Sequence, residues 1–403
     1  MSADTSVAGL TPETVEEISS RLDEPDWLLD RRLAALESLD ELELPPVIQT
    51  PGRRWTNLTA LDFDRLVDPL DAREEKDQTG PTDVDVLPFA EAVDQYPELV
   101  REHFGSIVDP EENYLTALST ALFTTGTVIR VPEGVSAEDV TIRTRMNARS
   151  LFNYTLVIGE TSSEVTILER QSTGEPVDGD RYYSGVVEIA AGDNSTIQYG
   201  NLQDLSEQTY HYTLKRANAN RDATVTWIEA NLGSRMTKSA VETTLDGDGS
   251  ETKIIGAFFG HNDQHLDVNV RVWHRAEHTT ADLVTRGVLD DQARSVYEGV
   301  QHVGKEAWHT SSYQRENTLM LSDESEADAS PKLIINNHET EASHSATVGQ
   351  IDQQDLFYMT SRGLSPREAT NMLVEGFFVP VLEEIAVDEF RDDLETRIIE
   401  RLP

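Results

Sequence analysis

The chain has 403 residues, long enough to bury a full core in two or three parts. Its 74 Asp and Glu outnumber 33 Lys and Arg, giving a formal net charge of −41, and this excludes a basic patch able to displace phosphate counterions, hence nucleic acid as a partner. It has no cysteine, which excludes disulfides, thiolate metal sites, persulfide carriage and a cysteine nucleophile. With 38% hydrophobic residues in patterned segments, the acidic excess is a surface property and not a sign of disorder. A carboxylate-coated surface with only six Lys suits a protein held in molar salt, so a halophilic cytoplasm is the expected setting. No apolar run approaches the roughly 18 residues of a membrane span, and MSADTSVAGL does not read as a signal peptide. A soluble, cytoplasmic protein with no membrane partner is expected.

Thr11-Pro12-Glu13 opens a first helix with Val15, Ile18 and Leu22 on one face. A second, Glu24–Leu39, carries Trp27, Leu28, Leu36 and Leu39 and is stopped by Pro45-Pro46. Residues 68–85 have little apolar content and read as a flexible linker or exposed loop. Phe89–Phe104 and Glu111–Leu122 are helical again, so 1–122 is expected to be an N-terminal helical region.

From Thr127 to Ile335, short segments rich in Val, Ile, Thr and Tyr alternate with Gly, Asp and Asn turns. Thr196, Thr224, Thr252 and Thr280 open such segments at a spacing of 28, and His211, Ser239, Asp267 and Ser295 form a second, interleaved set at the same spacing. Two strands per 28 residues is the signature of a parallel β-helix with large coils, each burying its inner face on the next. The expected inward residues are Ile197/Tyr199, Val225/Trp227, Lys253/Ile255 and Ala281/Leu283, in which Lys253 is the misfit. The core is placed at 123–336, ending in the apolar strand Pro331–Ile335.

The remainder, 337–403, reads as a polar turn followed by helices. The turn, Asn336–Gly349, holds His338, Glu339, Glu341 and His344. Asp352 caps a short helix with Leu356, Phe357 and Met359, ended by Gly363. Ser365-Pro366-Arg367-Glu368 is a capping box for the next helix, which Pro380 should end or kink.

Candidate chemistry is sparse. Gly299–Lys305 followed by Glu306 nearly spells GxxxxGK[ST], but the hydroxyl that would hold Mg²⁺ is replaced by a carboxylate and no helix follows; it reads as a turn between coils. His338-Glu339 suggests HExxH, yet the next imidazole is His344, one turn too far. His261/His265 and His274/His278 are four apart but flank strands, where that spacing does not converge. A lone His344 in a polar turn is, on its residues alone, more often structural than a ligand.

One resemblance changes that weighting. Ser343-His344-Ser345-Ala346-Thr347-Val348-Gly349-Gln350-Ile351-Asp352, then Leu356-Phe357-Tyr358, Ser361-Arg362-Gly363-Leu364-Ser365, Glu368-Ala369 and Gly376-Phe377, resembles the closing pattern of the SufB/SufD family of iron–sulfur cluster assembly proteins. Glu24-Pro25-Asp26-Trp27-Leu28-Leu29, Arg32 and Ala35-Leu36 are similar to that family's N-terminal helix EPxWLLxxRxxAL. The resemblance implies a mainly β fold, a right-handed parallel β-helix flanked by N-terminal and C-terminal helical regions. It also implies a scaffold, not an enzyme by itself, that pairs with SufB and binds the ABC-type ATPase SufC. No cofactor of its own is expected, only a transient iron–sulfur cluster at the interface with SufB.

In SufD-type members the histidine at position 344 lies at that interface and matters for the nascent cluster, so His344 is the candidate cluster-assembly residue and metal ligand. SufB-type members carry Glu on both sides of it, and Ser343 and Ser345 therefore favour SufD. SufD members usually have Gly after the histidine and often Cys two residues before; here these are Ser345 and Ala342, and the thiolates must come from SufB. The resemblance also implies that the C-terminal helices dock SufC, with Phe357, Tyr358, Arg362 and Phe377 as partner-binding candidates beside Phe378. The alternatives are a SufB-like homodimeric scaffold, which the lack of Cys disfavours, and a carbohydrate-active β-helix enzyme, which six Lys and no secretion signal disfavour.

Overall fold

The structure is a computed structural model that describes residues 9–402 apart from 52, 72–73, 175–177 and 386. The N-terminal part contains α1 (Pro12–Arg21), α2 (Asp26–Ser38), a two-residue hairpin of β1 (Gln49–Thr50) and β2 (Arg53–Arg54), α3 (Phe63–Leu66), β3 (Glu74–Thr79), β4 (Asp85–Pro88), α4 (Phe89–Gln95), α5 (Pro97–His103) and α6 (Tyr114–Leu122). Then follow β5 (Thr125–Val131), β6 (Ser136–Met146), β7 (Ser150–Gly159), β8 (Glu164–Thr173), β9 (Arg181–Ala191), β10 (Thr196–Asp204), β11 (Thr209–Ala219), β12 (Thr224–Asn231), β13 (Met236–Leu245), β14 (Glu251–Gly260), β15 (His265–His274), β16 (Thr280–Leu289), β17 (Arg294–Val303), β18 (Thr310–Met320), β19 (Glu326–Ile335) and β20 (Thr340–Gln350). The chain closes with α7 (Gln353–Ser361), α8 (Pro366–Leu382) and α9 (Asp388–Glu400).

Successive strands alternate between two sheets. Even-numbered strands stack as β20-β18-β16-β14-β12-β10-β8-β6 and odd-numbered ones as β19-β17-β15-β13-β11-β9-β7-β5, all parallel. This is the expected parallel β-helix of two strands per coil. Strands β3 and β4 close the first ends of the two sheets by antiparallel pairing with β6 and β5. The acidic stretch read as a linker over 68–85 therefore supplies all of β3 and the first residue of β4. Glu74–Thr79 has no apolar residue, which hid its strand character, but its backbone is paired across six residues.

Over the coils that the helices cover, each sheet is buried on both faces, which is why β7 (SLFNYTLVIG) is buried throughout. One face lines the lumen. On the outside of the odd-numbered sheet, Phe152, Tyr154, Tyr182 and Tyr212 pack against the N-terminal helices through Leu28, Phe89, Phe104 and Leu118. On the outside of the even-numbered sheet, Leu168, Leu202, Ile228, Ile255 and Val284 pack against Val374, Phe378, Phe390 and Leu394 of α8 and α9. Helix α9 has no counterpart in the sequence reading. Arg170 fastens it by ion pairs to Glu389 (2.9 Å) and Asp393 (2.7 Å).

The 28-residue repeat is an average. Thr196 pairs with Thr224, but Thr224 pairs with Glu251 and Thr280 with Glu251, so Thr252 sits one step away from the other three. In the second set His211 pairs with Thr237, and Ser239 with Val268, slips of two residues and one. A one-residue slip exchanges the two faces of a strand. The inward pair of that coil is therefore Thr252/Ile254, in ladder with Val225/Trp227 and Ala281/Leu283, and not Lys253/Ile255. Lys253 points outward and pairs with Glu384 at the end of α8. The misfit was a register error.

Two boundaries also move. Residues 340–350, read as a polar turn, form strand β20, so the β-helix runs to Gln350 and not to 336. The true turn is 336–339, stapled by Asn337, whose amide donates to the Gly304 carbonyl (3.1 Å) and whose side-chain oxygen accepts from Thr340 Oγ1 (2.6 Å). Pro380 lies inside α8, which continues only two residues further, to Leu382.

Candidate functional site

The site is built by strand alternation at the far end of the β-helix. In β18 the inward residues are Ser312, Gln314, Glu316 and Thr318, all buried, while Tyr313 and Arg315 face out. Pairing carries this parity to β20, so Ala342, His344, Ala346 and Val348 take the inward positions, opposite Ser312, Gln314, Glu316 and Thr318. His344 thus ends a ladder that runs through the lumen as Ile167, Tyr199, Trp227, Ile254, Leu283 and Gln314. It belongs to a strand and not to a turn, and it is exposed because no further coil covers it.

The floor beneath the last coil is polar. Gln314 reaches across the lumen, where its Nε2 donates to the Tyr297 hydroxyl at 3.2 Å. Its amide nitrogen would lie 1.7 Å from a Cβ at residue 299, so Gly299 is glycine to leave room for that amide. This accounts for the first glycine of the near-match to a phosphate loop; residues 304–306 are a turn between β17 and β18, as expected. Glu316 is fully buried, with Oε1 accepting from Thr318 Oγ1 at 2.5 Å and Oε2 without a partner. Burial pushes its carboxyl up to about 7. Strands β19 and β20 are the last of their sheets and leave a row of backbone groups unpaired on the outer edge. Ile334, Ile335 and Val348 are exposed there.

The other sequence-derived candidates lie away from this mouth, on the C-terminal helices. Asp352 caps α7 by accepting from the Gln354 N–H (2.7 Å), and Ser365 and Glu368 form the capping box of α8. Helix α7 has no buried residue; Phe357 is 74% and Tyr358 59% exposed, and Arg362 stacks over the Tyr358 ring at 5.1 Å. Met372 and Val379 of α8 are exposed as well. Phe377 differs: the Arg286 guanidinium lies 4.8 Å over its ring, Arg286 donates to its carbonyl (2.6 Å), and it packs edge-on to the buried Phe378. It is part of the joint between α8 and the β-helix, so only Phe357, Tyr358 and Arg362 of the four partner-binding candidates are presented on the surface. Among the described residues no three His, Asp or Glu converge to hold a metal ion.

Two family models match the chain: the SufBD core domain of the SUF iron–sulfur cluster assembly system over residues 141–377, and the SufBD protein N-terminal region over 62–142. The chain belongs to the SufBD family. It is 27% identical to the iron–sulfur cluster assembly protein SufB of Bacillus subtilis, over 94% of this chain and 90% of that one. A SufBD family protein of Staphylococcus epidermidis is 27% identical and one of Staphylococcus saprophyticus 26%, with the same coverage. The SufBD assignment leaves the carbohydrate-active alternative without support; the core model spans the C-terminal segment that carried the resemblance, whereas the N-terminal segment, 24–36, precedes the residues that the two models match.

Sequence reasoning missed Gln314, Glu316 and the pairing of Arg32 with Glu24. The available signal for the first two was the run of polar residues at every second place in β18, which marks a lumen lining only once the register is known.

Proposed function

We propose that this SufBD protein is a SufD-like scaffold subunit that completes a cluster-building site together with a SufB-like chain. The observation that supports this most is the open last coil, which presents one imidazole, His344, on the lumen side of an unpaired edge strand in a chain with no cysteine. Imidazole can ligate iron or carry a proton near neutrality; it cannot accept sulfur as a thiolate does. The thiolates must therefore come from a second chain. The free edges of β19 and β20, with Ile334, Ile335 and Val348 exposed, suit a partner that continues both sheets. The cluster is substrate and product here, held transiently at the joint and not resident in this chain.

The exposed aromatics of α7 suit docking of a SufC-like ATPase, because aromatic anchors with little packing of their own are typical of partner hot spots. Turnover of that ATPase would move the paired scaffolds, with no chemistry assigned to this chain alone. A second reading, a SufB-like homodimer, is favoured by the name of the Bacillus subtilis relative and disfavoured by the missing cysteines.

The test is cluster formation by the reconstituted complex. His344→Ala should leave folding and both partner contacts intact, since the side chain is exposed on the last rung, and should reduce the rate of cluster formation by about tenfold or more. His338→Ala, in the turn before β20, should be neutral. A wild-type rate for His344→Ala would make this chain a purely architectural partner. Sedimentation of the chain alone and with SufB separates the hetero- from the homodimeric reading.

A further inference from the structure

We propose that Glu316 is a second iron donor of this chain, forming with His344 a nitrogen–oxygen half-site that captures ferrous iron at the mouth of the β-helix. This deepens the scaffold reading and rests on it. The two residues lie on neighbouring strands, both on the lumen side. His344 pairs with Gln314, and Glu316 pairs with Ala346, so they are diagonal neighbours. Diagonal positions on neighbouring parallel strands are separated by one strand spacing and one rung; Glu316, whose Oε1 is held by Thr318 on the side away from His344, would turn its free Oε2 toward the imidazole to share one ion with it.

Three details single out Glu316. Its carboxylate is fully buried one rung below the opening, where an acidic side chain is costly unless something pairs with it. Among the described residues no cation does so: its hydrogen-bond donor is the neutral Thr318 hydroxyl, and Oε2 has no partner. Two other buried lumen carboxylates are provided for. Glu229 receives Lys215 at 2.7 and 2.6 Å, and Glu169 receives the Tyr199 hydroxyl at 2.7 Å and the Gln171 amide at 3.1 Å. The residue above Glu316 is Ala346, so only a methyl group stands over it on the last rung. Ferrous iron accepts imidazole and carboxylate together. Two donors from one chain make an incomplete shell, in keeping with the absence of any three-ligand group among the described residues; the remaining positions are left for the partner's thiolates or water.

The experiment is anaerobic equilibrium dialysis of the full-length chain against ferrous iron, in molar KCl to suppress loose binding to surface carboxylates. Wild type should bind one equivalent. Glu316→Gln, which is isosteric and removes the charge, should weaken binding at least tenfold, and His344→Ala should do the same. Glu339→Gln and His338→Ala, in the turn outside the lumen, should bind as wild type. Should Glu316→Gln not fold, Glu316→Asp decides: it keeps the charge but withdraws it by one methylene and must also bind more weakly. Wild-type affinity in a folded Glu316 variant, or no stoichiometric binding by wild type, overturns the proposal. If iron binding is insensitive to Glu316 while His344→Ala still impairs cluster formation in the complex, the half-site is wrong and the scaffold reading stands. If His344→Ala impairs neither, the scaffold role of His344 fails as well.

Discussion

At the scale of residues, buried charged and polar groups show what the sequence could not. Glu24 and Arg32 were visible as fixed points of an N-terminal helix, but their chemistry was not, because an arginine in a charged helix ordinarily reads as solvated. In the structure Arg32 is fully buried, chelates Glu24 at 2.7 and 2.6 Å, donates to the Ala121 and Phe123 carbonyls, and lies 3.8 Å over the Phe123 ring. It thereby supplies donors to carbonyls that the end of α6 leaves unpaired. His211 is the opposite case, a buried imidazole with neither nitrogen hydrogen-bonded, its ring tilted against Tyr183 at 5.4 Å in the lumen. Burial, helped by the nearby Lys215, lowers its pKa to about 3. A group held below its unfolded value contributes stability that is fully present above about 6.5 and is lost as pH falls toward 3. His211→Phe should therefore lie within about 1.5 kcal/mol of wild type at pH 8. Relative to wild type it should gain about 1.4 kcal/mol for each pH unit below 6.5, read by denaturant unfolding at pH 8 and pH 5. A pH-independent difference would mean that His211 takes up its proton as readily in the folded as in the unfolded chain.

At the scale of elements, strands with a buried face were legible and strands without one were not. The repeat of β10, β12, β14 and β16 was visible because their inward rungs carry Ile197, Val225, Trp227, Ile254 and Leu283. Strand β20 (TEASHSATVGQ) lost that signal because its lumen side opens to solvent, and β3 (EEKDQT) because it closes the other end of its sheet without apolar side chains. Their strand character comes from backbone pairing, which leaves no trace in composition. The helices followed their caps well, yet the aromatics of α7 and α8 could not be sorted into packing and surface without coordinates. That sorting yields a test. Phe357→Glu and Tyr358→Glu should leave the thermal midpoint within about 2 °C of wild type, since α7 buries no residue, while weakening ATPase binding at least tenfold. Phe377→Ala should instead lower stability by about 1–3 kcal/mol, because its ring carries Arg286 and packs on Phe378. Unchanged ATPase binding in both α7 variants would move the docking site elsewhere.

At the scale of the whole molecule, two features oppose each other. The net charge of −41 repels other copies and strains the folded chain, while the edges of β19 and β20 invite pairing. Many cations are already committed: Arg170, Arg216, Arg271, Arg294 and Arg397 each engage two or more carboxylates. Most of the acidic excess is therefore unneutralised from within and must be screened from outside. The screening length falls from about 30 Å at 0.01 M salt to about 3 Å at 1 M, shorter than the spacing of most surface carboxylates. The thermal midpoint should accordingly climb steeply from low salt to about 1 M KCl and flatten above it, because little repulsion then remains to screen. Sucrose, which strengthens burial without screening, should not reproduce the steep part. The same titration, followed by sedimentation, should show whether edge pairing between two copies appears once repulsion is removed. A chain that stays monomeric in molar KCl yet pairs with SufB owes its specificity to the complementary edge and not to charge. Equal midpoints at low and molar KCl would show that the acidic surface carries no net repulsive cost, and the inference of a salt-adapted protein would fall.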